Sequence, residues 1–273
     1  MVPKVSVVTP VYNGEAYFDT AIPSILGQSR DDFEFIIVDD GSQDRTPQFL
    51  RELAAKDSRV LPFFPGRLGF AGACNFGVAQ ARGEYIARQD FDDRSYPERL
   101  RLQVELLDRE PRIGVVGGYY VLVDENRGER YVRMPPTGHA EILRAMARYI
   151  PLAHTLATFR RAVWAEAGGY PDINNLVDLR FWLRIAKLGW HFANIPEVIG
   201  EHFVHGESFF HRSFRYAQRQ RELARVQAQI VHQLNLPRWM YAYSLGRYAY
   251  AYCPTPLKRA IRRTLGGSRE RDL

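Results

Sequence analysis

Two carboxylates on alternate residues, Asp90 and Asp92 in Gln89-Asp-Phe-Asp-Asp93, follow a short apolar run. So spaced, they can converge on one hard divalent cation through oxygen ligands. The same acids could instead solvate the turn before a helix capped by Ser95. Asp39-Asp40-Gly41-Ser42 ends another apolar run and reads as a tight turn held by side-chain-to-backbone hydrogen bonds, which would also fix a carboxylate for binding. Asp178 opens the helical run Leu179-Arg-Phe-Trp-Leu-Arg184, where it is a good N-cap on capping preference alone.

The elements that must position these groups alternate. Val5–Val11 is β-branched and bounded by Tyr12-Asn13-Gly14, a buried strand ending in a turn. A helix is expected over 17–28, a strand over 33–38, a helix over 46–56, a strand over 59–64, a helix over 71–81 opened by glycines, and a strand over 84–88. This β-α-β-α order implies an α/β fold, a mostly parallel sheet with helices on both faces, whose ligands bind beyond the carboxyl ends of the strands. Thr9–Asn13, Asp39–Ser42 and Asp90–Asp93 all fall at such ends. Ser95-Tyr-Pro-Glu98 has capping-box spacing and predicts a helix through Leu107. A strand over 113–123, a hairpin or excursion over 124–138, and helices over 140–148, 161–167 and 178–188 complete the pattern, the last two helices stopped by Gly168-Gly169 and Gly189.

The 273 residues suffice for one α/β domain with an appendage. Hydrophobic residues at 46% and charged residues at 25% exclude wholesale disorder and a polytopic membrane protein. Met1–Lys4 runs straight into the first strand without secretory features, and no apolar run reaches the roughly 18 residues of a spanning helix, so a cytoplasmic location is expected. Cys74 and Cys253 supply neither a disulfide framework nor a zinc knuckle. The net charge of +6 is concentrated from Glu207 onward, where thirteen basic residues face only four acids, Glu207 included. Phe209, Phe210, Trp239, Tyr241, Tyr243, Tyr248, Tyr250 and Tyr252 interleave with these arginines, a mixture suited to an anionic membrane surface. A solvated helical appendage or a dimer contact fits the same composition. The tail resembles no nucleic-acid module, so no nucleic-acid partner is expected.

Ser6-Val-Val-Thr-Pro-Val-Tyr-Asn13, Val38-Asp-Asp-Gly-Ser42, Gly83-Glu-Tyr-Ile86 with Asp90-Phe-Asp-Asp93, and Pro97-Glu-Arg-Leu100 occur in the order of family 2 glycosyltransferases, which the chain resembles. The resemblance runs from about Lys4 to Ser208 and takes in Gly168-Gly169-Tyr170, Asp178–Arg184 and Ile195-Pro-Glu-Val198. It implies the GT-A fold, with a nucleotide-binding half over 1–95, an acceptor half over 96–208 and a basic helical tail over 209–273. It further implies an inverting, non-processive enzyme that uses a nucleotide-sugar donor, Mn2+ or Mg2+, and a glycan or lipid-linked glycan acceptor. The nearest match to the processive Gln-x-x-Arg-Trp motif, Gln233 to Arg238-Trp239, has the wrong spacing.

On that resemblance, Asp92 is the direct metal ligand with Asp90 supporting ribose or metal, and Asp93 lies in the outer shell near the sugar. Asp39 would receive the imide N–H of a uracil or thymine that Thr9, Pro10 and Tyr12 flank. Gly69, Gly72 and Asn75 would lie near the donor, where helix N–H groups favour phosphate. Asp178 would be the general base. The family commonly has Glu-Asp there, whereas this chain has Val177-Asp178, and Arg180 stands where a further acid is frequent. His205 is expected at the metal or diphosphate. His154, Arg180 and Trp182 are expected near donor sugar or acceptor, although each histidine alone, and an aromatic at helical spacing, is as readily structural. His202 carries no expectation. Two rival readings are a catalytically impaired nucleotide-sugar-binding partner, which would not turn over repeatedly, and a nucleotidyltransferase, which would release pyrophosphate.

Overall fold

The first half of the chain forms β1 (Val5–Val11), β2 (Phe33–Asp39), β3 (Val60–Phe63) and β4 (Tyr85–Arg88), which pair in parallel in the order β3-β2-β1-β4. Every residue of β2 is buried, the pattern of a parallel strand covered on both faces. Helices α1 (Phe18–Leu26), α2 (Thr46–Lys56) and α3 (Gly69–Gln80) make the crossovers. α3 lies close on the sheet because Gly77 has no side chain; a Cβ there would sit 2.6 Å from Val8 Cγ1. The computed structural model describes residues 2–173, 175–205 and 216–254.

Beyond β4 the sheet becomes mixed. β5 (Arg94–Ser95), β6 (Ile113–Asp124), β7 (Glu129–Arg133), β8 (Thr158–Arg160) and β9 (His191–Val204) follow in sequence. β8 bridges β4 and β6 with antiparallel pairings, β9 runs parallel to β6, and β5 pairs antiparallel with β9 at the edge. The hairpin expected over 124–138 is β6–β7. Two large apolar clusters fill the space on either side of the sheet, one containing Val8, Ile36 and Trp182, the other Val7, Phe35 and Leu100.

Helix α4 (Arg99–Arg109) corrects the capping-box expectation. Its N-cap is Glu98 and no side-chain hydrogen bond caps it. Ser95 is in β5, opposite Gly200. Its hydroxyl donates to Gln89 Oε1 at 2.7 Å and accepts from Arg99 Nη1 at 2.7 Å. The strand register claims the serine backbone, and a buried guanidinium claims its hydroxyl.

Helices α5 (His139–Met146), α6 (Arg161–Glu166) and α7 (Val177–Lys187) complete the second half. α8 (Tyr216–Gln233) and α9 (Tyr241–Tyr252) then pack against it: Val226, Ile230, Val231 and Met240 share the cluster of Phe181 and Trp182. Phe209, Phe210, Arg212, Arg215 and the basic residues from Lys258 to Arg271, all part of the expected tail, lie outside the described residues. Among the described residues no helix is long and apolar enough to cross a membrane.

Asn75 fastens α3 to the loop after α6. Its Oδ1 accepts from Tyr170 N at 2.7 Å and Trp164 Nε1 at 3.1 Å, and its Nδ2 donates to Tyr170 O at 3.0 Å. That carboxamide is occupied by the fold, which corrects the donor contact expected of Asn75. Asn75→Ala should therefore lower unfolding stability by about 2 kcal/mol, the cost of leaving buried partners unsatisfied, as read from urea denaturation.

Candidate active site

The acidic turn after β4 is folded by one side chain. Gln89 Nε2 donates to the carbonyls of Asp90 and Asp93, both at 3.0 Å, while its Oε1 accepts from Ser95 and Arg99. Within this turn the three acids have separate fates. Asp90 Oδ1 accepts from Arg88, a fully buried guanidinium, and Asp90 N donates to Thr155 Oγ1 at 2.9 Å. Asp92 Oδ2 lies 2.8 Å from His205 Nε2, whose proton affinity is raised chiefly by that contact. Asp93 is 1% exposed and accepts from Phe203 N at 2.7 Å and His202 Nδ1 at 3.0 Å. Asp93 thus staples β9 to the turn, which corrects its expected sugar contact.

A cleft of about 350 Å³ opens at this end of the sheet. Its polar lining includes Asp90, His154, Thr155, Asn175, Asp178 and His202, and its apolar walls include Tyr120, Leu122, Ile150, Leu152, Leu176 and Val177. Asp178 is the second residue of α7, not its N-cap; that place falls to Leu176, at φ 48°. Burial raises the Asp178 pKa above the ordinary carboxylate value; the N–H groups of Leu179 and Asp178 oppose the rise, and the Asp90 charge adds to it. A carboxyl so placed suits proton acceptance.

Two expected sugar contacts, Trp182 and Arg180, are structural instead. Trp182 is fully buried within the apolar cluster. His154 does line the cleft, although it is largely buried and has Nε2 3.0 Å from the Tyr170 hydroxyl. Burial first, and Arg88 second, hold its pKa well below the ordinary imidazole value, so it is neutral near pH 7. Arg180 faces Glu222 of α8 at 3.8 Å and ties that helix to α7.

At the other rim, the loops after β1 and β2 are stitched together. Asn13 N donates to Ser42 Oγ at 2.8 Å, Gln43 N to Asn13 Oδ1 at 2.8 Å, and Gly14 N to Thr46 Oγ1 at 2.9 Å. Asp39 is 4% exposed and accepts from Ser42 N with Oδ1; no described residue donates to its other oxygen. Thr9 is wholly enclosed, which corrects its expected contact with a base, and its buried hydroxyl has no hydrogen-bond partner. Pro10 and the exposed Tyr12 do present surface. Arg67, unforeseen from the sequence, lies 3.9 Å from the Tyr12 ring centroid. The Gly69 N–H expected to face phosphate instead donates to Asp40 Oδ1 at 3.0 Å.

No group of three or more possible metal-ligating side chains occurs among the described residues. Asp92 and His205 nevertheless bring one carboxylate oxygen and one imidazole nitrogen together on the acidic turn that carries the cleft-lining Asp90. Such a two-ligand set fits a hard divalent cation that keeps water and completes its shell with substrate phosphate oxygens.

Glycosyl transferase family 2 matches residues 6–166. "Putative glycosyltransferase EpsE" of Bacillus subtilis (strain 168) is 31% identical over 257 residues, covering 92% of this chain and 90% of EpsE. "Amylovoran biosynthesis glycosyltransferase AmsE" of Erwinia amylovora is 28% identical over 200 residues, covering 71% of this chain and 74% of AmsE. Mannosyltransferase PcManGT from Pyrobaculum calidifontis, in complex with GDP-Man and Mn2+, is similar in structure at TM-score 0.65 and 22% identity, covering 98% of this chain and 81% of that one. S. aureus TarS 1-349 in complex with UDP-GlcNAc gives TM-score 0.69 and 17% identity, covering 97% and 80%. The fold is accordingly the GT-A type.

His202, which sequence reading passed over, generates a pH dependence. Burial lowers its pKa, but the Asp93 charge and hydrogen bond outweigh it and raise the pKa to about 9. A raised imidazole stabilises the fold fully below its unfolded value of about 6.5, and that contribution is lost as pH rises through about 9. The melting temperature should fall across that window, and His202→Gln should flatten the fall, as read by scanning calorimetry at stepped pH.

Proposed function

The chain belongs to glycosyl transferase family 2, and from that premise we propose that it moves a single sugar, with inversion, from a UDP-sugar to an acceptor hydroxyl. The acceptor is a glycan or lipid-linked glycan of cell-surface polysaccharide or glycolipid synthesis, and the enzyme works on the cytoplasmic face of a membrane that its basic tail helps it reach. The observation that carries the reading is the cleft itself, where Asp178 and the Arg88-held Asp90 share one wall system at the carboxyl ends of the strands.

Pro10, Tyr12 and Asp39 hold the base, with Asp39 receiving an imide N–H on the oxygen that Ser42 leaves open. Asp92 and His205 would hold Mn2+ or Mg2+ beside the diphosphate. That cation's chemistry is to stabilise the negative charge gathering on the departing nucleoside diphosphate. Asp178 takes the proton of the acceptor hydroxyl as its oxygen bonds to the anomeric carbon from the face opposite the breaking carbon–oxygen bond. The apolar walls beside Asp178 exclude water, so that the acceptor, not solvent, is the nucleophile.

Two measurements test this. Asp178→Asn should lower kcat by about 10²–10⁴ with the nucleotide affinity unchanged, and wild-type kcat should rise with pH through a value above the ordinary carboxylate range; a loss smaller than about tenfold would remove Asp178 as the base. Calorimetric titration with UDP, dTDP, GDP and CDP, with and without Mn2+, should show one preferred diphosphate, UDP, whose binding weakens without metal and in Asp92→Ala. Preference for GDP would overturn the uridine assignment, and binding indifferent to both metal and Asp92 would overturn the cation site.

A further inference from the structure

Helix α9 has an unusual outer surface for a helix in water. Among its twelve residues Arg247 alone is charged. Arg247 turns inward, donating to Gln220 Oε1 at 2.8 Å, Gln227 Oε1 at 3.0 Å and Arg148 O at 3.0 Å. What faces outward is uncharged: Ala242, Leu245, Gly246, Tyr248, Ala249 and Tyr252. Leu245 is 68% exposed, Tyr252 58%, and Trp239, just before the helix, 65%. Contiguous exposed apolar surface of this kind marks an interaction site.

The charge around this face selects its partner. Arg221 donates to the Tyr252 hydroxyl at 3.2 Å, and the exposed Arg238 adjoins Trp239. From Glu222 to Glu270 the sequence has no acidic residue between them and eight basic ones. Nineteen residues, 255–273, follow the last described residue, Pro254, and carry six basic residues against two acids. A two-fold contact between copies would set this surface against itself, bringing like charges together. An anionic bilayer meets both features, taking the aromatic and aliphatic side chains at the headgroup boundary and neutralising the arginines.

We propose that the outer face of α9, with Trp239, Leu245, Tyr248 and Tyr252 as its contacts, is the surface by which the protein seats on an anionic lipid bilayer. This deepens, and rests on, the membrane-associated reading above. The seat is continuous with the cleft: Arg148 accepts from Arg247 and stacks over Tyr243 at 5.6 Å, and two residues further on Ile150 lines the cleft wall. A protein resting on α9 therefore holds its acceptor side close to the lipid.

The test uses the full chain and vesicles of phosphatidylcholine with or without phosphatidylglycerol, followed by co-sedimentation and by quenching of tryptophan emission with acyl-brominated lipid. Binding should require phosphatidylglycerol, fall with salt, and show quenching that disappears in Trp239→Phe. Leu245→Glu, at an exposed site, should weaken vesicle binding at least about tenfold while UDP binding, titrated on the same preparation, is unchanged. Equal vesicle binding by Leu245→Glu and the unaltered chain would overturn the proposal, as would loss of binding only when residues 255–273 are removed. If Leu245→Glu converts a dimer to a monomer in sedimentation equilibrium without changing vesicle binding, the face is a self-interface and the proposal fails. Failure of UDP binding alone would strike the catalytic reading and leave this one standing.

Discussion

The site depends on a buried guanidinium that has no carboxylate bonded to it. Arg99 is fully buried, and desolvation, reinforced by the nearby Arg88 charge, lowers its pKa to about 9. A buried charge costs several kcal/mol unless its hydrogens are satisfied. Here the offset comes from neutral oxygens: Gln89 Oε1, Ser95 Oγ, Gln103 Oε1 and the carbonyls of Arg88 and Ala157. These acceptors come from the end of β4, the acidic turn, β5, α4 itself and the segment before β8. Satisfying one cation thus fixes the places where five pieces of chain meet, and the turn carrying Asp90, Asp92 and Asp93 inherits that rigidity.

Rigidity lets carboxylates of the same chemical type do different work within one region. Asp40 is occupied by the first N–H groups of α3, Asp93 by β9, and Asp90 by Arg88. Asp92 faces an imidazole, and Asp39 keeps one oxygen uncommitted to described residues. Asp178 is different again, since no cationic side chain bonds to it among the described residues. At Asp178, neutralisation relieves a burial penalty without breaking an ion pair.

Much of this was legible in the sequence where local pattern and final environment agree. β1, β2 and β4 are buried strands whose apolar runs report themselves, and the polar residues that stop them mark the carboxyl end of the sheet. The reading failed where a long-range partner overrode a local preference. Ser95 has ideal capping spacing, but pairing with Gly200 of β9 claims its backbone, and the buried Arg99 four residues on claims its hydroxyl. Asn75 and Trp182 stand at positions suited to ligand contact and are absorbed by Tyr170 and the core. β9 was hidden because Pro196 and exposed Glu197 interrupt its alternation and its pairing with β6 shifts register. Without β9 in place, nothing in the sequence brings His202 to Asp93; a strand assigned to 191–204 would have put His202 and His205 beside the acidic turn.

The start of α7 shows how the fold raises the proton affinity of one carboxyl at the expense of local comfort. A capping serine or aspartate before the helix would satisfy its first N–H groups and dull their field. Leu176 occupies that place instead, in the left-handed region at φ 48°, with no side-chain cap. A non-glycine residue held there costs on the order of 1–3 kcal/mol. The cost is offset by burial, since Leu176 and Val177 are both nearly enclosed and line the cleft beside Asp178. The sharp reversal starts the helix so that its second residue, not its cap, carries the carboxyl. The uncapped N–H groups pull the Asp178 pKa down, and the apolar enclosure made by the same two residues pushes it up by more. The net effect is a carboxyl whose affinity for a proton exceeds that of a carboxylate in water, so the strained turn and the apolar wall act on one group.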